Sequence, residues 1–468
     1  LACKGFEVVN CHRHGSGDDL RQTKTIGMTP PCGFDLLKSI LPRRVKQLPD
    51  HHQERPNTRY ALQDVALGAF GIFFTQSSSF WAYQRRLQHT QGHYNVHTLC
   101  DVEPIPCDHQ GRKRLDPITP RALDAVFVEV FEGREPHRML SHFRVLGAQL
   151  LVALDGTTSV SSEAMHGHNG LRRQLSHSPT RSYHAAITPV IVCPGHAQVI
   201  ALPPEDIRPQ DGPDQQVGER AVGNRWLAKH AAQVAPHGVT CLGDALSSNP
   251  PFCALVFHQG CHFICTCQPA SHATRSARFA FWQATDASAE HEASHCNGRF
   301  TAGTLVRSLN AVLLRRGDDA VAGNGFAMPV VNAKTGEQRY HHRWITHHRL
   351  TADTVVVVAQ SGRGRWQIAN ENHPVLTTKG SHLAHNFGPG EQYLSAFLLS
   401  LNLLALLFYT VLEWSDDQDA WLRQVMVRRQ AFFPAIQAFM RSMVFDSWDH
   451  FMDFMIRGLE LESHFDTS

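Results

Sequence analysis

The chain has 468 residues and a mass of 52.3 kDa, room for two to four structural units at about 100–200 residues each. Hydrophobic residues make up 42% and charged residues 18%, which excludes a wholly disordered chain. Lys and Arg number 44 against 42 Asp and Glu, a net charge of +2; that excludes a polybasic, histone-like protein but leaves room for a local nucleic-acid face.

Histidine is abundant, at 31 residues, so metal-like spacings arise by chance and carry less weight. None of the twelve cysteines forms a C-x-x-C pair, which argues against zinc ribbons and thioredoxin-type motifs. Cys193, Cys241 and Cys265 lie in apolar runs, where Cys behaves as a small hydrophobe. A reducing, cytoplasmic location is expected. The first residues, Leu1-Ala-Cys-Lys-Gly5, show no apolar signal segment, and the missing initiator Met points to a fragment or an arbitrary start.

Residues 1–55 are polar, rich in His, Arg and Pro, and read as a loose arm. Residues 56–145 read as a helical, DNA-binding region. Leu62, Ala66, Ala69, Phe70 and Phe73 form one apolar stripe. Ser78 or Ser79 can cap a second helix through Leu87. Thr119-Pro120 is a cap followed by Pro at the first position, opening a helix through Phe131 with Gly133 after it. Between them, Gln110-Gly-Arg-Lys-Arg114 is a short basic cluster, either a solvated loop or a DNA-phosphate contact through Arg112, Lys113 and Arg114.

Residues 146–270 change character. Gln149 to Leu154, Ile187 to Val192 and Ala197 to Leu202 read as strands; a helix follows from Asp214 to about Val234. Gly238 to Leu242 is another strand, Pro251 to Phe257 a helix stopped near Gly260, and His262 to Cys267 a fifth strand. This is an α/β sheet with strands buried on both faces. Residues 271–345 read as a β-rich insertion of short, irregular stretches. Residues 346–413 return to the core, with a helix opened by Thr351 that carries Trp366 and Ile368. After the break at Gly388-Pro-Gly390 comes the charge-free segment 392–412, long enough for a membrane span but interrupted by Ser395, Ser400 and Asn402. A buried core helix is expected there, with no membrane. Residues 414–468 read as a last, aromatic-rich helix.

Asp155 and Asp244 share one context: each ends a buried apolar strand and touches a Gly. Ligand chemistry in open α/β sheets lies beyond the carboxyl ends of strands. Two carboxylates there can share hard cations such as Mg²⁺, and a two-metal pair can stabilise both oxygens of a phosphoryl displacement. The plainer reading is that each Asp caps a turn.

Three stretches carry a family resemblance: Leu154-Asp-Gly-Thr157 with Ser161-Ser-Glu163; Leu242-Gly-Asp244; and Gly362-Arg-Gly-Arg-Trp-Gln-Ile-Ala-Asn-Glu-Asn372 with Leu376-Thr-Thr-Lys-Gly380 and His385-Asn-Phe-Gly388. They resemble bacterial insertion-sequence transposases of the DDE type, from about residue 60 to the C-terminus. The resemblance implies an RNase H-like catalytic core with a β-rich insertion before the last catalytic helix. It implies Mg-dependent cleavage and strand transfer with two Mg²⁺ ions (Mn²⁺ as substitute), held by Asp155, Asp244 and a third acid. It also implies double-stranded DNA partners, both transposon ends and target, and a homo-oligomer on DNA. Arg363, Arg365 and Lys379 would contact phosphate near the scissile bond, though Arg363 and Arg365 can equally pair with carboxylates.

The third acid departs from the family pattern of Tyr, Arg three residues on, Glu four further and Lys seven beyond. Arg365 fits the Arg, but positions 362, 369 and 376 hold Gly, Ala and Leu. Glu371 is the acid this segment offers. On a helix, positions 369 and 371 point ~200° apart, so Glu371 reaches the same metals only through a local break, which Asn370, Asn372 and Pro374 allow. Ala245, where relatives commonly carry another acid, is a second departure. A non-catalytic DNA-binding remnant is therefore the first alternative. The second is a zinc metallopeptidase through His291-Glu292-Ala-Ser-His295, which requires that segment to be a helix so that both His share a face. Trp366 is expected in the core.

Overall fold

The computed structural model describes residues 33–51, 60–88, 90–103, 107–133, 139–162, 170–173, 180–212, 215–267, 289–296, 301–313, 322–331, 338–368, 375–376, 387–388, 390–426 and 429–458. It is a mixed α/β protein. The chain opens with α1 (Gly33–Val45), α2 (Leu62–Phe74), α3 (Phe80–Leu87), α4 (Thr90–Cys100), α5 (Asp108–Leu115) and α6 (Asp124–Glu132). The expected arm at 1–55 thus contains a helix: Phe34, Leu37, Ile40, Leu41 and Val45 recur at helical spacing and are all buried. Its Arg and Lys residues hid that stripe. Ser79 caps α3 by accepting from Ala82 N at 3.0 Å. Pro120 opens a short 3₁₀ turn ahead of α6, and Gly133 follows its last turn.

The strands are β1 (Arg144–Val145), β2 (Gln149–Ala153), β3 (Gly156–Ser162), β4 (Leu171–Arg173), β5 (Arg181–Ile187), β6 (Val190–Val192), β7 (Ile200–Ala201) and β8 (Glu205–Ile207). Then come α7 (Gln215–Val234), β9 (Val239–Gly243), α8 (Pro250–His258) and β10 (His262–Thr266). The run expected as one strand at 187–192 is two, because Thr188-Pro189 breaks it; Pro cannot donate to a ladder. β5 turns aside into a second small sheet, β3–β5–β4 with β8 against β5, which sequence periodicity did not anticipate.

The insertion forms β11 (Ala289–Cys296), β12 (Thr301–Leu313), β13 (Ala322–Val331) and β14 (Gln338–Thr346), longer than the short stretches expected. They are not a separate body. The main sheet runs β11–β12–β13–β14–β10–β9–β2–β6–β7, with β1 on β2. β9 is parallel to β2 and to β10; the other pairs are antiparallel. After α9 (Val355–Gly364), helical backbone continues to Ile368.

Successive strand residues face opposite ways, and β10 shows what lies on each side. Ile264 meets α9 at Gly362, where an added Cβ would lie 3.1 Å from Ile264 Cγ2 and 3.1 Å from Trp344 Nε1. Cys265, facing the other way, lies beside Cys253 of α8. The core is therefore a sheet between helices.

The charge-free segment is α10 (Leu394–Ser415), and 94% of its most apolar window is buried inside the protein. It is long and apolar enough to cross a membrane, but here it is a packing spine. Phe70 of α2 meets Phe408 edge-on at 5.1 Å, and Phe74 stacks on Tyr409 at 4.7 Å. Thr410 Oγ1 donates to Val199 O at 3.0 Å, beside β7. Asp116 fastens its start: Oδ1 accepts from Leu394 N at 3.1 Å and Oδ2 from Glu391 N at 2.9 Å. Gly390 has φ +67°, and a side chain there would collide with Asp116. The single C-terminal helix expected is instead α11 (Asp417–Val425), α12 (Arg429–Ser442) and α13 (Trp448–Gly458). Asp416 caps α11 through Gln418 N and Asp419 N, an N-cap that marks a new helix.

Candidate functional site

Parallel pairing of β2 with β9 sets Ala153 opposite Leu242, and Leu154 N donates to Leu242 O at 3.2 Å. Two residues further along each strand stand Asp155 and Asp244, so both acids leave the sheet at one end of neighbouring strands, which lie ~4.8 Å apart. They line one small pocket with Gly156, Glu219, Arg220, Ser247 and Asn249. Asp155 Oδ1 accepts from Gly156 N at 3.1 Å, and Asp244 Oδ1 from Ser247 N at 2.9 Å. Each carboxylate is thus aimed by its own turn. The turn-capping role expected from sequence is present in both residues, which also line the pocket.

The motif-bearing helix reaches Asp155. Arg365, just past α9, sets Nη1 3.5 Å from Asp155 Oδ2. Its Nε is buried and has no hydrogen-bond partner. Gln367 Nε2 donates to Cys193 O at 2.7 Å and His196 O at 2.6 Å, tying the end of this helix to the β6–β7 turn. Close packing on Trp344 and Ile264 accounts for Gly at 362. Arg363 is half-buried; its charge, after burial, helps hold the His342 pKa below the usual range. Trp366 is 50% exposed and meets His342 edge-on at 5.4 Å, so it is not a core residue.

Glu371, Lys379 and position 369 lie outside the described residues. Glu219 is the carboxylate that sequence reading missed. It belongs to α7, and its Oε1 would touch a Cβ at position 156, so the absence of a side chain on Gly156 admits it. Nothing marked it in sequence beyond its place on a long polar helix after the third core strand.

The basic cluster 110–114 lies in α5, not in a loop. At ~100° per residue its three cations point apart. Lys113 is exposed. Arg112 pairs with Asp108 one turn back. Arg114 is buried, paired with Asp50 and donating to Tyr60 O, so it holds the helical region together and is not open to a phosphate.

His291 and His295 lie in β11, an antiparallel strand paired with β12. The metallopeptidase reading needs both His on one face of a helix; this segment is a strand, so the structure gives that reading no support.

Hard oxygen donors at paired strand ends suit Mg²⁺, and Asp155 and Asp244 supply two such groups. Among the described residues no cluster of three or more His, Cys, Asp or Glu is placed to hold a metal ion. No protein-family model matches the chain, and no curated protein matches it.

Proposed function

We propose that the chain is a DDE-type DNA transposase with an RNase H-like core, acting on double-stranded DNA at the ends of an insertion sequence and at its target. The observation that carries this reading is the emergence of Asp155 and Asp244 from one end of neighbouring parallel strands, with Arg365 at Asp155. The element order supports it: strands that include β2, β6 and β7 of the main sheet, then a helix, a strand, a helix and a strand, then a β insertion, then the helix with the longest motif.

In this reading Asp155, Asp244 and Glu371 hold Mg²⁺, or Mn²⁺ in its place, which when bound neutralises phosphate charge and activates the attacking oxygen. Arg365 is the positioning group. Its unpartnered Nε can take a phosphate oxygen while Nη1 stays by Asp155. Arg363 and Lys379 extend that contact, and exposed Lys113 with Arg112 gives a second point for the DNA backbone. The protein would work in the cytoplasm as a homo-oligomer that brings two DNA ends together.

A second reading, a remnant that binds DNA without cutting it, rests on Ala369 standing at the family's Glu position. The test uses the purified chain with supercoiled plasmid in Mg²⁺ or Mn²⁺. The expected result is metal-dependent nicking that Asp155→Asn and Asp244→Asn abolish while DNA binding persists. Binding with no nicking above the Asp155→Asn level would support the remnant. A chain that neither binds nor nicks duplex DNA would reject both.

A further inference from the structure

A second small pocket lies away from the paired acids, where the β3–β5 sheet meets the start of α10. It is lined by Ser159, His184, Asp206, Arg208, Tyr393 and Ser395, among others. Three buried polar atoms there have no hydrogen-bond partner: His184 Nε2, Arg208 Nε and Ser395 Oγ. Ser395 is only 6% exposed. Buried polar atoms are nearly always satisfied, and three orphans in one pocket call for a common partner.

Most of what faces the pocket donates. Asp116 takes the N–H groups of Glu391, Gln392 and Leu394. Ser395 and Ala396 lie in the first turn of a 22-residue helix, where backbone N–H groups point out of the helix end. The Arg208 guanidinium sits 5.8 Å from the Tyr393 ring centroid and 4.0 Å from Asp206 Oδ2, too far for a hydrogen bond. Ser159 Oγ donates to His184 O at a long 3.4 Å. Burial keeps His184 neutral, its pKa below the usual range. A helix N-terminus, an arginine and two hydroxyls are the donor set of an oxyanion. One group disagrees: the Asp206 carboxyl can only accept when ionised.

That disagreement selects the ligand. An oxyanion that carries its own hydrogen can give it to Asp206 while its other oxygens take the donors. Above about pH 7, where Asp206 is ionised, hydrogen phosphate still carries such a P–OH; sulfate and the phosphodiesters of a nucleic-acid backbone do not. We propose that this pocket is a binding site for inorganic phosphate, with Ser395, Arg208 and His184 as donors and Asp206 as acceptor. The proposal does not depend on the transposase reading, and the space suits one small anion, not a nucleotide.

The test is calorimetric titration of the full chain at pH 8 with inorganic phosphate and, separately, sulfate. Saturable phosphate binding is expected, with sulfate weaker by about tenfold or more, the scale of one charged hydrogen bond. Ser395→Ala and Arg208→Met should each weaken phosphate binding by about tenfold. Without phosphate, Ser395→Ala should leave the thermal midpoint unchanged, because its hydroxyl has no partner to lose. No saturable phosphate binding, or binding by both variants as tight as by the parent chain, would overturn the proposal. So would sulfate binding as tightly as phosphate. Displacement of phosphate by an unphosphorylated DNA duplex would reassign the pocket to a nucleic-acid backbone.

Discussion

Asp206 and His348 titrate over overlapping ranges with opposite consequences. Burial pushes the Asp206 carboxyl up to about 7, so between its ordinary value near 3.8 and about 7 the folded chain holds a proton that the unfolded chain has lost. Stability from this group therefore falls as pH rises through that window. His348 is pushed down to about 4, first by burial and then by His262 and His347. His262 Nδ1 and His347 Nδ1 lie 3.0 Å apart, and the His262 and His348 rings stack at 4.4 Å. Between about 4 and 6.5 the unfolded chain holds a proton that folded His348 refuses, so this contribution rises with pH. Each amounts to at most roughly 3–4 kcal/mol, and they oppose each other. Urea midpoints of the parent chain should thus vary little from pH 4 to 6.5 on account of this pair. Asp206→Asn should uncover a rise over that range and a more stable protein at pH 8. His348→Gln should uncover a fall. A flat profile in both variants would show that neither group is perturbed as its burial implies.

At the scale of elements, the third acid and the spine helix each make a prediction. If helical backbone continues from Ile368 through 369 in register with Arg365, Ala369→Glu should raise nicking in Mn²⁺ while Glu371→Gln changes little. If the helix breaks there and Glu371 turns inward, the outcomes reverse. In the proposed reading, loss of such a metal ligand would cost a thousandfold or more in rate, ~4 kcal/mol. For α10, Leu404→Ala should destabilise by roughly 2–5 kcal/mol in chemical denaturation, because Leu404 is fully buried among other apolar side chains. A change below ~1 kcal/mol would mean that the helix packs more loosely than this. These elements also show what could be read in advance. The core strands β2, β9 and β10 and helix α8 were legible because each is an apolar run bounded by Gly, Pro or Asp, the two aspartates because they end such runs, and α7 because Asp214 opens it. The small sheet was not: β3 is Gly-Thr-Thr-Ser-Val-Ser-Ser, with neither alternation nor bulk, and only its partner β5 makes it a strand. Glu219 was not legible because its role depends on how α7 lies over Gly156. The H-E-x-x-H spacing misled because five residues cannot tell a helix from a strand.

The whole molecule is joined where sequence suggested divisions. β14 pairs with β10 through Ile264–Thr346, Cys265–Ile345 and Thr266–Trp344, so the insertion is part of the core sheet. Trp344 and Ile345 are buried there, and Phe326 of β13 stacks on Trp344 at 5.0 Å. Excision of residues 271–345 with a short Gly-Ser bridge should therefore leave an open β10 edge and aggregated protein, read by size-exclusion chromatography. A soluble, monodisperse remainder would mean that the sheet does not need its extension. The contact of α2 with α10 has a consequence for how the protein is made. Phe70 and Phe74 leave the ribosome early, whereas Phe408 and Tyr409, the rings they pack against, are synthesised more than three hundred residues later. At 5–20 residues per second, the apolar face of α2 waits on the order of tens of seconds for its partner. Through that interval the nascent chain carries an uncovered aromatic surface, and the yield of folded protein should rise with the supply of chaperones that shield it.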